Sequence, residues 1–434
     1  MPSVTRSLLC ALGAILASVL TACGSGSGSV GPANVRLVNT TGAAVTLTLN
    51  GGGSLSVNPS ANPVSAYESV TPGTYTTSVT GASSALTAGP SQIVGLGTGQ
   101  NYTVIAYQRD GVVSSATITD NLAAPTTGYA TFNVANVSPD AGALDVYLLA
   151  HGTLPTSIGQ ANFTSVQGLS IAASFPAGTY DVVVTGAGNI NDLRLIMPSV
   201  AFSSAQVGTL AFTGTTGGAL VNGAVINQGG SATLVANTQA RVRIWSAVAN
   251  ATVTATTAAA QALSTSTSPI PGNYTLVAAG DSIASISVTP SGGSATAVTT
   301  PYSYQAGGAA VASGPFAAGG DYTVVVFAAS PYSAAVLTDS NQTVPNYASV
   351  RFINTVIAGN ASLVVDSKSV QNSVALGTAS AYSGVAPDSA AQFQVYGTGY
   401  ATTGTAWTKP LVTGSVYSVL VYNALLPGIV IQDR

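Results

Sequence analysis

The chain has 434 residues and a single histidine, so any Ser-His-Asp relay or imidazole acid–base scheme would have to be built around His151. Its setting argues for a turn. His151-Gly152 follows Asp145-Val146-Tyr147-Leu148-Leu149 as Asn50-Gly51 follows Val45-Thr46-Leu47-Thr48-Leu49, and an exposed loop histidine needs a positioned partner before it does chemistry. Asp140 and Asp145 have the chemistry of a glycosidase carboxylate pair or of Ca²⁺ ligands. Calcium takes six to eight oxygens, and few other carboxylates lie nearby, so these two read as a turn residue and a strand-start residue. Gly95-Leu96-Gly97-Thr98-Gly99 lacks the dinucleotide spacing and precedes a strand pattern, which makes it a turn and not a phosphate cradle. Arg36, Arg243 and Arg351 sit between apolar neighbours and are expected to face solvent or to lay their stems beside a core. Trp245 and Trp407 are expected to pack in cores rather than stack on sugar rings. The sequence thus offers no catalytic residue, no cofactor site and no metal site, and the expectation is a protein that is not an enzyme.

The elements that would position these residues begin after a leader. Arg6 precedes an apolar stretch from Leu8 to Leu20, short for a membrane span and suited to a signal peptide over residues 1–22. It ends in Leu20-Thr21-Ala22-Cys23, which resembles the lipobox of bacterial lipoproteins. The resemblance implies cleavage before Cys23 and lipidation of its thiol and new amino group. Two or more chains anchor stably, since each buried methylene contributes about 0.8 kcal/mol. Gly24, where an Asp would redirect sorting, implies the cell envelope and the outer membrane of a Gram-negative bacterium. Residues 23–32 then form the lipidated cysteine and a Gly/Ser tether. Only Cys10 and Cys23 occur, so no disulfide is expected in the mature monomer, and about 400 residues must rely on apolar cores.

Charged residues make up 5% of the chain, far below the ~25% of ordinary globular proteins. The net charge of −3 becomes −4 without Arg6, which leaves no basic track for nucleic acid. The mean hydropathy of +0.43 does not come from spans after the leader. Even the most apolar stretch, Val416 to Ile431, holds Ser418, Asn423 and Pro427, and it reads as a buried final strand pair.

Alternation such as Ile283-Ala284-Ser285-Ile286-Ser287-Val288 marks strands, with no comparable helical period. Four related openings recur: Val35-Arg36-Leu37-Val38-Asn39, Phe132-Asn133-Val134-Ala135-Asn136, Val242-Arg243-Ile244-Trp245-Ser246 and Val350-Arg351-Phe352-Ile353-Asn354. Their second residues are 97, 110 and 108 positions apart, a domain-sized repeat. Turn-and-tyrosine segments follow at Pro72-Gly73-Thr74-Tyr75, Pro176-Ala177-Gly178-Thr179-Tyr180 and Pro271-Gly272-Asn273-Tyr274, with a degraded form over 387–393. Closing strands start Asn101-Tyr102-Thr103, Asp321-Tyr322-Thr323 and Val416-Tyr417-Ser418, whereas the second unit has Gly208-Thr209-Leu210. The expected fold is all-β, with about four tandem Ig-like β-sandwich domains over 33–120, 128–236, 237–339 and 347–434. The connectors 121–128 and 340–346 are short, so neighbouring units should touch.

The second unit in particular, through Ser138-Pro139-Asp140, Asp145-Val146-Tyr147 and Pro176-Ala177-Gly178-Thr179-Tyr180, resembles the bacterial domain-of-unknown-function family 4397. Partial matches occur at Leu47-Thr48-Leu49-Asn50-Gly51 and Leu363-Val364-Val365-Asp366. The resemblance implies exported tandem sandwiches and brings no catalytic residues. The expected role is a non-enzymatic envelope lipoprotein acting as a structural, binding or adhesion module. Its expected partners are the membrane, through the lipid, and a glycan or an envelope protein. The alternatives are a polysaccharide hydrolase using Asp140, Asp145 or Glu68, and an accessory subunit of an envelope assembly complex.

Overall fold

The computed structural model describes residues 31–57, 62–82, 86–307, 309–312, 314–327, 331–357, 359–397, 406–423 and 427–433. The expected leader, Cys10, Cys23 and the expected Gly/Ser tether up to residue 30 lie outside the described residues. What is described is an all-β chain of tandem Ig-like sandwiches.

In unit 1 the chain forms β1 (Ala33–Asn39), β2 (Val45–Leu49), β3 (Gly53–Val57), β4 (Glu68–Val70), β5 (Gly73–Gly81), β6 (Thr87–Ala88), β7 (Gln92–Leu96), β8 (Asn101–Arg109) and β9 (Val112–Thr119). One sheet has the order β4-β1-β8-β9-β6 and the other β3-β2-β5-β7. The opening strand β1 runs parallel to β8 and antiparallel to β4. Strict alternation on β2 (Val45, Leu47, Leu49) presents one face to Val35 and Leu37 of β1, and these residues share one core.

The same plan recurs three times. The opening strands Tyr129–Asn136, Gln239–Ser246 and Ala348–Asn354 each lie parallel to a closing strand, Val207–Gly214, Asp321–Phe327 and Val416–Val421 respectively. Opposite them lie sheets built on Leu144–Leu149, Ala251–Thr257 and Asn360–Val365. The final stretch is a strand pair, Val416–Val421 with Ile429–Gln432, as its composition predicts.

Two devices recur in the side chains. Asn39, Asn136 and Asn354, at the ends of three opening strands, donate Nδ2 hydrogens to the carbonyls of Val57, Val166 and Val374, which ties the two sheets of each sandwich together. The closing-strand tyrosines form corners: the hydroxyls of Tyr102, Tyr322 and Tyr417 accept from the backbone N–H groups of Gly97, Ala317 and Val412 at 2.8, 2.9 and 2.9 Å. A Tyr417→Phe substitution leaves the Val412 amide without that acceptor and should lower stability by about 1 kcal/mol, measured by denaturant unfolding.

Unit 2 lacks this tyrosine for a steric reason. Phe132 sits opposite Gly208 in the parallel register, where the other units pair Val35, Val242 and Val350 with tyrosines. A Cβ on residue 208 would come within 2.4 Å of the Ile226 carbonyl oxygen and 2.6 Å of the Phe132 ring. The aromatic has moved to the opening strand, and the closing strand has no room for a second.

One expected correspondence fails. Pro271-Gly272-Asn273-Tyr274 does not enter the counterpart of β5. It precedes Thr275–Ala278, which pairs with the opening strand, while the counterpart of β5 is Ile283–Pro290, entered after Gly280 at φ +90°. The backbone hydrogen bonds give the reason. Gly272 N donates to Ile244 O as Ser65 N and Ser380 N donate to Leu37 O and Phe352 O, so Tyr274 is the counterpart of Tyr67 and Tyr382. The proline and glycine types that suit one turn also suit the other.

Candidate functional site

Alternation along the opening strand β1 puts Val35 and Leu37 into the sandwich core and aims Arg36 and Val38 outward, and the other opening strands repeat the pattern. Outward is not solvent here. Val38, Ile105 and Ile118 of unit 1 form one apolar cluster with Ala135, Ala211 and Ile226 of unit 2, and Trp245, Val325 and Leu337 of unit 3 do the same with Ile353 and Leu420 of unit 4. The chain is therefore two pairs of sandwiches packed face to face, with the opening strands buried on both sides.

This overturns the solvent-facing expectation for the three arginines, since Arg36, Arg243 and Arg351 are buried. Each sits at the outward face of its strand and donates through Nε to the hydroxyl of the closing-strand residue beside it: Thr103 at 2.7 Å, Thr323 at 2.9 Å and Ser418 at 2.7 Å. In turn these hydroxyls donate to Asp120, Asp339 and Asp433, each one hairpin further on. A tyrosine completes each group. Tyr67 donates to Asp120 and Tyr274 to Asp339, while the guanidinium carbons of Arg36, Arg243 and Arg351 lie 4.9, 4.6 and 5.0 Å from the rings of Tyr67, Tyr274 and Tyr382. Burial pushes the Tyr67 hydroxyl up to about 12, with Asp120 adding to the effect.

The ion pairs then cross between units. Arg243 of unit 3 pairs with Asp433 of unit 4 at 2.5 Å, and Arg351 of unit 4 pairs with Asp339 of unit 3 at 2.7 Å, a reciprocal exchange at one joint. Burial alone would raise the Asp339 carboxyl, but Arg351 and Arg243, with hydrogen bonds from Thr323 and Tyr274, hold it below the usual carboxylate range. In unit 1, Arg36 stays near its own Asp120 at 3.4 Å and reaches across to the carbonyls of Gly230 and Asn227 in unit 2 at 2.7 and 2.9 Å. Unit 2 carries neutral substitutes, with Asn133 accepting from Thr209 and Gln228 bonding the backbone of Leu122.

The remaining joints follow the same pattern. Arg241 of unit 3 spans Asp321 of its own unit at 2.8 Å and Asp192 of unit 2 at 3.3 Å, and Arg194 shares Asp192. Arg109 of unit 1 grips Asp140 of unit 2 through two bonds of 2.7 and 2.9 Å. Asp140 also accepts from the Thr343 N–H and hydroxyl, and Arg109 donates to the Thr343 carbonyl, so the connector between units 3 and 4 is strapped onto the joint between units 1 and 2. Asn341 N and Gln342 Nε2 extend the strap to Gly217 O and Asp110. All six arginines among the described residues are thus ion-paired with aspartates, and five of them reach another unit, four through the ion pair itself and Arg36 through backbone carbonyls.

The other sequence-selected residues are not brought together. Asp145 accepts from the amides of Ser165 and Gly188 at 2.7 and 2.8 Å and so joins two loops, while Glu68 lies exposed on β4. Trp245 is buried at the joint of units 3 and 4 rather than in a sandwich core, with its Nε1 donating to Pro269 O, and Trp407 stacks on Phe393. The Gly95–Gly99 stretch leads into strand β8. Among the described residues, no group of three or more His, Cys, Asp or Glu is gathered as a metal site would need, and no helix is long and apolar enough to cross a membrane.

His151 does have a positioned partner, contrary to expectation. Its Nδ1 lies 2.9 Å from Asp181 and 3.3 Å from the Ser199 hydroxyl. A relay needs carboxylate and hydroxyl on opposite ring nitrogens, whereas here both meet the same one on an exposed ring. Asp181 also accepts from the amides of Gly152 and Ser199, both at 2.7 Å, so the group holds a turn in place. Burial would raise the Asp181 carboxyl, and these amides with His151 bring it below its ordinary value. His151→Ala should change stability by no more than about 0.5 kcal/mol. Asp181→Ala, which leaves two amides without their acceptor, should cost about 1–3 kcal/mol; denaturant titration of both variants separates turn-holding from a role for the imidazole.

Sequence reading missed Asp339, Asp433, Asp120, Tyr67 and Tyr382. A signal existed, since each closing tyrosine is followed by an aspartate one hairpin later, and Ser65-Ala66-Tyr67 recurs as Ser380-Ala381-Tyr382.

The fold and joints define a protein of tandem β-sandwiches fastened by buried ion pairs. Residues 33–147 match the family model described as "Domain of unknown function (DUF4397)", so the resemblance read from the motifs holds over unit 1 and into the second strand of unit 2. No curated protein matches the chain. Among 18 matching chains of solved structures is the Bacillus anthracis TIE protein, at 10% identity and a TM-score of 0.14, with 90% of this chain and 68% of that chain covered.

Proposed function

We propose that this chain is a non-enzymatic lipoprotein of the bacterial cell envelope, anchored through Cys23 in the outer membrane of a Gram-negative organism. Its sandwiches serve there as a structural or binding module for a glycan or another envelope protein. The observation that carries the reading is where the charges lie: a chain with 5% charged residues commits five of its six described arginines to fastening units together, which suits a stiff scaffold. The reading is also supported by the carboxylates selected from the sequence, since Asp140 is held by Arg109 and Thr343, and Asp145 by two amides. The lipobox motif supports the address. Mass spectrometry of the processed protein should find a diacylglyceryl, N-acylated Cys23, and binding arrays of glycans and envelope proteins should yield a ligand. A free thiol at Cys23 would remove the anchor, and silent arrays would leave only the passive structural role.

A further inference from the structure

Both sandwich pairs leave a crevice at the same end of their joint. The first, of about 600 Å³, lies between the β8–β9 hairpin of unit 1 and the end of the opening strand of unit 2, and it is lined by Tyr107, Thr117, Asn136, Ser138, Gln167 and Leu169 among others. The second, of about 730 Å³, lies between the matching hairpin of unit 3 and the matching strand end of unit 4, where Phe327, Ser333, Thr355, Leu376, Gly377 and Tyr422 contribute. The correspondence extends to single residues. Tyr107 and Phe327 occupy the same position on their closing strands, as do Val137 and Thr355 just beyond their opening strands.

Among the described residues, no charged side chain lines either crevice. The smaller cavities where the units meet contrast with them, since they are lined by Arg109 and Asp110 in one case and by Asp110, Asp339 and Arg351 in the other. The half-buried rings of Tyr107 in the first crevice and Tyr422 in the second, beside hydroxyl and amide groups, offer an apolar face together with neutral donors and acceptors, while Phe327 is buried beneath the second crevice. That combination fits the faces and hydroxyls of an uncharged sugar. It does not fit an ionic ligand, which would lose its hydration with nothing to offset the loss.

We propose that the two crevices are equivalent sites for a neutral oligosaccharide, so that one chain holds two sugar segments. This rests on the binding-module reading above and narrows it to a ligand class. Leu169 and Leu376, 53% and 46% exposed at the crevices, allow each site to be blocked without disturbing a core. The test is calorimetric titration of the full lipidated chain in detergent with malto-, cello-, xylo- and chitohexaose. At least one sugar should bind with two sites per chain, Leu169→Glu should leave one site, Leu169→Glu/Leu376→Glu should leave none, and the melting temperature should stay unchanged. Absence of binding by all four sugars, or binding that survives the double variant, overturns the proposal. If an envelope protein or an extended peptide binds while the sugars do not, the sugar assignment falls and the binding-module reading stands; if nothing binds, both fall.

Discussion

Asp339→Ala should lower the stability of the chain by about 3–5 kcal/mol and loosen unit 3 from unit 4. The carboxylate is fully buried, pairs with Arg351 across the joint, and accepts from Thr323 and Tyr274 within its own unit. Removing it strands the Arg351 guanidinium in the joint without its counter-charge. The penalty is that of an uncompensated charge and not the net worth of the pair. Replacing Asp339 and Arg351 together by leucine and methionine should therefore recover most of the loss, and denaturant unfolding of the single and double variants reads the difference.

The same group predicts a pH dependence with a definite sign. A carboxyl held below its ordinary value in the folded chain contributes stability that is complete above its unfolded pKa of about 3.9 and disappears as pH falls through its lower folded value. The joint between units 3 and 4 should therefore keep its full stability from neutral pH down to about 4 and weaken below that. Asp339→Ala should flatten this acid limb.

The second large effect belongs to the strap. Asp140→Ala removes two bonds from Arg109 and two from Thr343, which frees the connector of units 3 and 4 from the joint of units 1 and 2. Because the Arg109 side chain is partly exposed, water can take over some of its solvation, and the expected loss is about 1.5–3 kcal/mol, smaller than at Asp339. The distinguishing sign is local. Hydrogen exchange at the Thr343 amide and protease cleavage within 340–346 should both rise, while the sandwich cores keep their protection.

Much of the fold could be read from the residues. The four openings share a register in the structure as in the sequence, because Val35-Arg36-Leu37 and its relatives combine a core-facing alternation with the same outward arginine or asparagine. The turn reading of His151-Gly152 held as well, with Gly152 at φ +76°. The loop nevertheless runs on through a short 3-10 helix (Ile158–Gln160) before the partner strand begins at Phe163, where the first unit closes a tight hairpin after Asn50-Gly51. Pro271-Gly272-Asn273-Tyr274 misled, because the residue types that favour a turn do not say which strand the following segment will join.

The direction of the arginines was illegible for a different reason. Alternation separates two faces of a strand but does not say whether the second meets water or another sandwich. The partners of Arg243 and Arg351 lie on other units, and no local pattern pairs residues across such separations. The short connectors did announce contact between neighbours. They did not announce that the later one would reach back to Asp140.

Ion pairs across the joints fasten the four sandwiches into one body. Scanning calorimetry of the unlipidated Cys23→Ala chain at neutral pH tests this most directly. The expected trace is one cooperative transition whose calorimetric and van't Hoff enthalpies agree, splitting into separate transitions in Asp339→Ala. Several independent transitions in the parent chain, unchanged by Asp339→Ala, would contradict it.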